Sequence, residues 1–127
     1  MTTQCRLVED KGRDNSDYQP GDMWFCPWYI EGESKKDHLR WLDQGHGFLS
    51  REYVTQRWDK RPPLILRLPD GTDWLVDGLS TSGGGWDISG EAPNITARPS
   101  IQSPGFHGWL TNGVLSDDLE GRKYDTI

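Results

Sequence analysis

Residues 64–113 decide the fold, and they read LILRLPDGTDWLVDGLSTSGGGWDISGEAPNITARPSIQSPGFHGWLTNG. This stretch contains two hairpin signals. At 68–71 (LPDG), proline presets φ at the second turn position, aspartate hydrogen-bonds its own backbone, and glycine takes the final position. At 112–113 (NG) stands the dipeptide that most readily adopts positive φ at both central positions of a two-residue hairpin. Apolar segments flank both turns, which predicts antiparallel strands on either side.

Short strand candidates recur along the same stretch. Residues 64–68 and 73–77 form the arms of the first predicted hairpin, with Trp74 and Val76 on one face. About five to seven such segments at regular intervals are typical of an antiparallel roll, sandwich or barrel. The remaining candidates are 86–90, 95–98, 99–101, 106–110 and 114–115.

Residues 23–30 (MWFCPWYI) predict a dense aromatic strand entered from a turn at 19–22. Pro27 disturbs its register and suits an edge strand or a bulge. Aromatic clusters of this kind are more often core than ligand platform. Alternation places Trp24, Cys26 and Trp28 on one face and Met23, Phe25 and Tyr29 nearer the other.

One amphipathic helix is predicted over residues 50–59. Ser50 is a suitable N-cap, and the prolines at 62–63 push the residue before them out of the α region. A further helical turn is possible after Ser34, with Asp37 three residues on as an acidic variant of the capping box. The apolar face of the main helix consists of Leu49, Tyr53, Val54 and Trp58.

These elements predict a small α+β domain. It is mainly antiparallel β, as a roll, sandwich or partly open barrel, with one short amphipathic helix packed on the sheet. The whole chain, 1–127, forms one domain, with a polar acidic N-terminal segment (1–19) and an acidic C-terminal tail (116–127). Hydrophobic residues are only 33% of the chain, so seven tryptophans are expected to supply much of the core volume.

Charge and composition exclude several classes of function. The formal net charge of −6 argues against binding duplex nucleic acid through its phosphates. It leaves room for a local cationic patch, which Arg57, Lys60 and Arg61 form. The longest apolar run, 23–30, is broken by proline and is too short to span a membrane. With no signal peptide visible at the start, we expect a soluble cytoplasmic protein without membrane contact.

Metal and cofactor chemistry have no support in the sequence. The two cysteines, Cys5 and Cys26, belong to no C-x-x-C pair, and in a reduced cytoplasm free thiols are favoured over a disulfide. The glycines at 83–85 lack the lysine and hydroxyl of a phosphate loop. We therefore predict no metal and no cofactor.

Catalytic motifs are absent as well. Ser100 lacks the flanking glycines of a nucleophile elbow. A hydrolase using His107 with Asp87 or Glu91 is conceivable, but nothing in the sequence sets their geometry. No catalytic residue is predicted.

One constellation suggests a ligand site. Trp86, Arg98, His107 and Trp109 lie on neighbouring strand candidates, and alternation can bring them to one concave surface beside the glycines at 83–85. Aromatic faces stack on planar ligands, and an arginine fork binds phosphate or carboxylate. The alternative interpretation is that the tryptophans are core and Arg98 extends from it to solvent.

The chain also resembles a group of small proteins of unknown activity encoded by bacteriophages and prophages. The resemblance covers most of the chain in a preserved order and supplies no catalytic residue. The segments that carry it are 20–24 (PGDMW), 49–50 (LS), 61–64 (RPPL), 68–71 (LPDG), Trp74, Asp77, 85–86 (GW), 90–96 (GEAPNIT), 99–101 (PSI), 107–113 (HGWLTNG) and 119–122 (LEGR).

The resemblance implies a phage gene product, which sets the functional expectation. We expect a non-enzymatic accessory protein in the host cytoplasm that binds a host protein or a small anionic ligand through its aromatic and arginine-lined surface. The first alternative is a virion component, a capsid decoration or connector or tail protein that binds phage structural proteins. The second is the small hydrolase that uses His107.

Overall fold

The computed structural model describes residues 2–10, 17–80, 84–103 and 105–117. Gly83 and most of the predicted acidic tail, from residue 118 onward, lie outside the described residues. The elements in chain order are β1 (Thr2–Gln4), β2 (Arg6–Leu7), β3 (Asp22–Phe25), a 3-10 helix (Pro27–Tyr29), α1 (Lys35–Asp43), α2 (Arg51–Gln56), β4 (Leu64–Arg67), β5 (Asp73–Leu75), β6 (Asp87–Ser89), β7 (Thr96–Ser103), β8 (Phe106–Thr111) and β9 (Val114–Asp117).

The strands form two open sheets. Sheet A has the order β1-β9-β8-β7-β6 and is antiparallel throughout. Sheet B has the order β2-β3-β4-β5, and only its β2–β3 pair is parallel. The predicted class, α+β with mainly antiparallel strands, is confirmed, and neither sheet closes into a barrel.

The main core lies between the inner faces of the two sheets. Trp74 and Val76 share the inner face of sheet B, as their alternation predicts, and both are buried. Burying these apolar side chains is the main favourable term for holding the sheets together. The fully or nearly fully buried members of this cluster include Met23, Leu64, Leu66, Leu68, Ile95, Ile101, Leu110 and Leu115.

Two helices, not one, cover the outer face of sheet B. Both predicted caps are confirmed, because the Asp37 amide donates to Ser34 Oγ (3.1 Å) and the Tyr53 amide donates to Ser50 Oγ (3.1 Å). The possible turn after Ser34 is thus a full helix, α1. The main helix is shorter than predicted, Arg51–Gln56 instead of 50–59, so Trp58 lies beyond its end. Its packing on the sheet is confirmed, since Tyr53 and Val54 form a cluster with half-buried Leu75 of sheet B.

The strand predicted over residues 23–30 is wrong beyond Phe25. Pro27 has no amide hydrogen to donate to a sheet, and it begins the 3-10 helix instead. The predicted faces are confirmed for Met23 to Trp28 but wrong for Tyr29, because the 3-10 helix ends the strand alternation before that residue. Met23 and Phe25 pack in the main core, whereas Trp24, Cys26 and Trp28 pack on the other side of sheet B, and Tyr29 joins them there.

Both predicted hairpin turns are confirmed. Asn112 and Gly113 have φ of 46° and 78° between β8 and β9, and the 68–71 turn joins β4 to β5, with Gly71 at φ 87°. A Cβ at residue 113 would lie 2.6 Å from the Pro93 carbonyl oxygen, so only glycine fits there. Both cysteines are buried free thiols, as predicted.

Asp70 of the first turn also ties the two sheets together at one end. Its Oδ2 accepts hydrogen bonds from Ser103 Oγ (2.6 Å) and from the Gly105 amide (3.1 Å), both at the β7–β8 connection. Its Oδ1 accepts from the Thr72 amide and hydroxyl. Burial by itself raises the pKa of this carboxyl, but the hydrogen bonds from Ser103, Thr72 and Gly105 outweigh burial and lower the pKa to about 2.

Among the residues that the structure describes, no helix has the length and apolar character needed to cross a membrane.

Candidate functional site

A cleft of about 600 Å³ opens where the end of α2 faces the turn that follows β6. Its charged lining residues are Arg57, Lys60 and Arg61 on one wall and Glu91 on the other. Its size matches that of ordinary small-molecule sites. Apolar surface comes from Phe25, Ile88 and Ala92.

The two arginines are held by one buried carboxylate, that of Asp77. Asp77 is fully buried and accepts four hydrogen bonds. Arg57 Nε donates to Oδ1 (3.0 Å), and Arg61 donates through Nη1 to Oδ2 (2.7 Å) and through Nη2 to Oδ1 (3.0 Å). The Leu64 amide donates to Oδ2 (2.9 Å). Asp77 therefore fixes the end of α2, the start of β4 and the cationic wall of the cleft together.

Tyr53, which is fully buried, supports the same wall from the interior of the protein. Its hydroxyl donates to the Arg61 carbonyl oxygen (2.6 Å), and its ring lies 5.8 Å from the Arg57 guanidinium and 5.9 Å from that of Arg61. Burial raises the pKa of Tyr53 well above its usual value, so the phenol stays a neutral hydrogen-bond donor. The arginine positions are thus set from two sides before any ligand arrives.

The cleft as a whole carries more positive than negative charge. Three cationic side chains, Arg57, Lys60 and Arg61, face two carboxylates, Asp77 and Glu91. Arg57 Nη2 is buried and has no hydrogen-bond acceptor among the described residues. A buried donor without a partner is costly, on the order of 1–3 kcal/mol or more when charged. An incoming anion would neutralise the excess charge of this wall.

The opposite wall of the cleft is a tight turn that requires glycine. Gly90 has φ of 86°, and a Cβ at this position would lie 2.3 Å from the Asn94 carbonyl oxygen. The Asn94 amide donates to the Glu91 carbonyl (2.7 Å), which closes the turn. This compact turn holds Glu91 and Ala92 against the cleft.

The sequence-predicted surface is only partly assembled. His107 and Trp109 lie together on the outer face of β8, with ring centroids 5.6 Å apart. His107 Nε2 lies 3.0 Å from Ser100 Oγ of β7. Arg98 is exposed, opposite Asp87 in the β6–β7 pairing.

Trp86 lies on the other side of the sheet. It packs against the main core, edge-on to Trp74 with ring centroids 5.0 Å apart, and its Nε1 donates to the Ser100 carbonyl (3.2 Å). Alternation along β6 puts Trp86 with Ile88 on the inner face, while Asp87 lies with Arg98 on the outer one. Ligand binding by Trp86, Arg98, His107 and Trp109 stays a prediction, and none of the four lines the cleft.

Sequence reasoning found the cationic patch but missed its partner. Arg57 and Arg61 pair with Asp77 across 20 and 16 residues of sequence. Asp77 was predicted only as the last residue of the hairpin arm 73–77, and no partner was assigned to it. A signal was present, because an aspartate at the end of an apolar strand needs partners if it is buried.

Comparisons of the chain with protein-family models, with curated proteins and with solved structures found no match in any of the three.

Proposed function

We propose that this protein is a non-enzymatic binding protein that takes a small anion, a carboxylate or phosphate group, in the cleft beside Arg57, Lys60 and Arg61. The observation that carries the proposal is the sharing of Asp77 by two arginines, which leaves the cleft wall positive in a chain of net charge −6. Guanidinium groups suit both ligand classes, since their planar fork matches carboxylate and phosphate oxygens.

Each cation has a separate part in this proposal. Lys60 is exposed at the rim and attracts the anion over the longer range. Arg61 is 15% exposed and Arg57 is 11% exposed, so these two contribute fixed positive charge from the wall. The apolar surface of Phe25, Ile88 and Ala92 suits a ligand with an organic body more than bare phosphate.

The resemblance to phage-encoded proteins supplies the biological setting of the proposal. We place the protein among phage accessory proteins of the host cytoplasm that act by binding a small ligand or a host protein. The virion alternative predicts that the protein copurifies with phage particles, which mass spectrometry of purified particles tests.

Thermal shift against a panel of anions tests the cleft. The panel comprises inorganic phosphate, pyrophosphate, nucleotides, cyclic dinucleotides and small dicarboxylates. A ligand at one hundred times its Kd adds about 2.7 kcal/mol to the free energy of unfolding. Lys60→Ala should weaken binding while sparing the fold, because the side chain is exposed. Lys36→Ala removes the same charge from exposed α1 surface outside the cleft and should change nothing.

Arg98→Ala separates the cleft from the sequence-predicted surface. Arg98 is exposed and does not line the cleft, so its loss should leave the anion-dependent shift intact. If Arg98→Ala abolishes the shift and Lys60→Ala preserves it, the ligand lies on the outer face of sheet A and the cleft proposal is wrong. If no anion shifts the wild type, the small-ligand proposal is wrong and a protein partner is favoured.

The 3.0 Å contact between Ser100 Oγ and His107 Nε2 favours a second candidate, an acyl hydrolase. A serine within hydrogen-bond reach of a histidine base is the first requirement of such a site. The pair lies on the outer face of sheet A and does not line the cleft. Labelling of Ser100 by a fluorophosphonate probe, lost in His107→Ala, is the expected result for a hydrolase, and an unlabelled wild type excludes this candidate.

A further inference from the structure

A second cavity, of about 610 Å³, lies on the opposite side of sheet B from the main core. Its floor is formed by Trp24 and Ile65 of the sheet, which are almost completely buried, together with half-buried Leu75. Its walls come from the 3-10 helix, from α1 and from the segment at 47–49 that precedes α2.

We call this cavity the aromatic pocket, because five aromatic side chains line it besides Trp24 of the floor: Tyr18, Trp28, Tyr29, Trp41 and Phe48. Trp28 and Tyr29 stack on each other, with ring centroids 4.2 Å apart, and Trp28 Nε1 donates to Asp10 Oδ2 (3.2 Å). Trp41 of α1 also lines the pocket and is half-buried. Phe48 is 73% exposed although its backbone is fixed, since its carbonyl accepts from the Leu79 amide (3.0 Å). A large exposed ring held at the edge of a cavity contributes little to the core and is available to a ligand.

The charge of the aromatic pocket is opposite to that of the cleft. Among the described residues that line it, none is lysine or arginine, and two are carboxylates, Glu33 and Asp73. Asp73 is neutralised by an ion pair with Arg67 (2.5 Å). The exposed carboxylate of Glu33 has no ion pair or hydrogen bond to any described residue, so it brings an uncompensated negative charge to the aromatic walls.

We propose that the aromatic pocket binds an organic cation, an alkylated ammonium group held against Trp28, Tyr29, Trp41 and Phe48 and paired with Glu33. Aromatic faces attract cations through the negative face of the ring, and quaternary ammonium groups are recognised by clusters of such rings. A nearby carboxylate adds Coulomb attraction that a neutral ligand of the same shape does not feel. The volume exceeds that of a bare ammonium group, so the ligand brings a further organic part.

The same ammonium chemistry has two sources, a free small molecule or an alkylated lysine side chain of a protein. The cation proposal is independent of the anion cleft, because the two cavities share no lining residue. A substitution in the cleft should therefore leave cation binding unchanged, and a substitution in the aromatic pocket should leave anion binding unchanged.

Isothermal titration with choline, and with its neutral isostere 3,3-dimethylbutan-1-ol, tests the proposal on the full-length protein. We expect choline to bind at least about tenfold more tightly than the isostere, because only choline has the cation–ring and charge attraction. A trimethyllysine peptide, with unmodified lysine as its control, separates the sources. Tighter binding of the methylated peptide than of choline assigns the site to a protein ligand, and the reverse order assigns it to a small molecule.

Two surface variants with matched controls complete the test. Glu33→Gln and Phe48→Ala should each weaken choline binding by roughly three- to tenfold. Both side chains are exposed, so the fold is preserved. Glu31→Gln removes the same charge two residues away, and Leu7→Ala removes another exposed apolar side chain (42% exposed); neither lines the pocket and neither should change binding. Equal affinity for choline and its isostere, or binding insensitive to both Glu33→Gln and Phe48→Ala, overturns the proposal.

Discussion

The cleft and the aromatic pocket have nearly equal volumes, about 600 and 610 Å³, and opposite chemistry. The cleft is lined by three cations and one carboxylate, Glu91. The aromatic pocket is lined by rings, two carboxylates and, among its described residues, no lysine or arginine. The cleft lies beside the sheet edge formed by β6, whereas the pocket lies between sheet B and the helices that cover it. A single net charge of −6 describes neither site.

In each cavity, the local charge is set by which side chains are buried together. In the cleft, a fully buried carboxylate holds two arginines in place and is itself shielded from the ligand. In the pocket, the arginine near Asp73 lies outside the lining, and the unpaired carboxylate of Glu33 is exposed. A buried carboxylate thus leaves a cavity positive by holding arginines in its wall, whereas an exposed carboxylate makes a cavity negative.

The largest effect should come from removing the carboxylate behind the cleft. Asp77→Ala leaves two guanidiniums and the Leu64 amide without their buried acceptor, and we expect a loss of about 3–5 kcal/mol in the free energy of unfolding. Urea denaturation measures it. Asp73→Ala is the matched control, since it breaks an ion pair that is partly exposed and should cost less than about 1 kcal/mol. Equal midpoints for the two variants would contradict the structural role of Asp77.

The next effect concerns the helical cover that forms the aromatic pocket. Trp58 is half-buried, packs with Tyr53 and lies 4.8 Å from His38 between ring centroids. Trp58→Ala should therefore cost about 3 kcal/mol, the lower end for a tryptophan truncation. The nearby exposed substitution Lys60→Ala should stay within about 0.5 kcal/mol of wild type. An unchanged denaturation midpoint in Trp58→Ala would show that the helices do not stabilise this side of the sheet.

A smaller effect separates the two helix caps. Ser50 is fully buried and Ser34 is exposed, although each accepts a backbone hydrogen bond of 3.1 Å. Ser50→Ala should cost about 2 kcal/mol and Ser34→Ala about 0.5 kcal/mol, because only the first leaves an amide buried without a partner. Thermal unfolding of both variants measures the difference. A larger loss in Ser34→Ala would mean that α1 contributes more to stability than α2.

An effect confined to acid conditions is expected at Asp70, which lines neither cavity. Its pKa falls from 3.8 in the unfolded chain to about 2 in the folded protein, so the carboxylate stabilises the fold above pH 4. That stabilisation is lost as the pH falls from 4 towards 2. Asp70→Asn should remove this part of the acid dependence in urea titrations from pH 5 to pH 2. Parallel curves for wild type and variant would assign the acid response to other carboxylates.

Local chemistry made much of the fold predictable. The turns at 68–71 and 112–113 and the caps at Ser34 and Ser50 each depend on residues within four positions of one another, and all are present in the structure. The strand predicted through Pro27 was wrong because the alternation of apolar residues continued where the backbone lost its donor.

The sites were less predictable because their contacts are long-range. Arg57 meets Asp77 across 20 residues, and the aromatic pocket joins residues from Tyr18 to Leu75. Trp86 was placed with His107 because alternation fixes which residues of one strand share a face, but it does not fix how neighbouring strands are aligned. The register of β6 on β7 decides that, and it puts Trp86 on the inner face.

The pairing of β1 with β9 has a consequence for the order in which the protein takes shape on the ribosome. Gln4 Nε2 donates to the Gly113 carbonyl oxygen across 109 residues, and β1 pairs with β9 throughout. At a synthesis rate of roughly 5–20 residues per second, β1 waits about 5 to 20 seconds for its partner strand. All four strands of sheet B lie within residues 6–75, so at the same rate the last of them follows the first after roughly 3 to 14 seconds. The segments of sheet B and of its helical cover are therefore synthesised before β6 to β9, the strands of sheet A that share the main core with the inner face of sheet B.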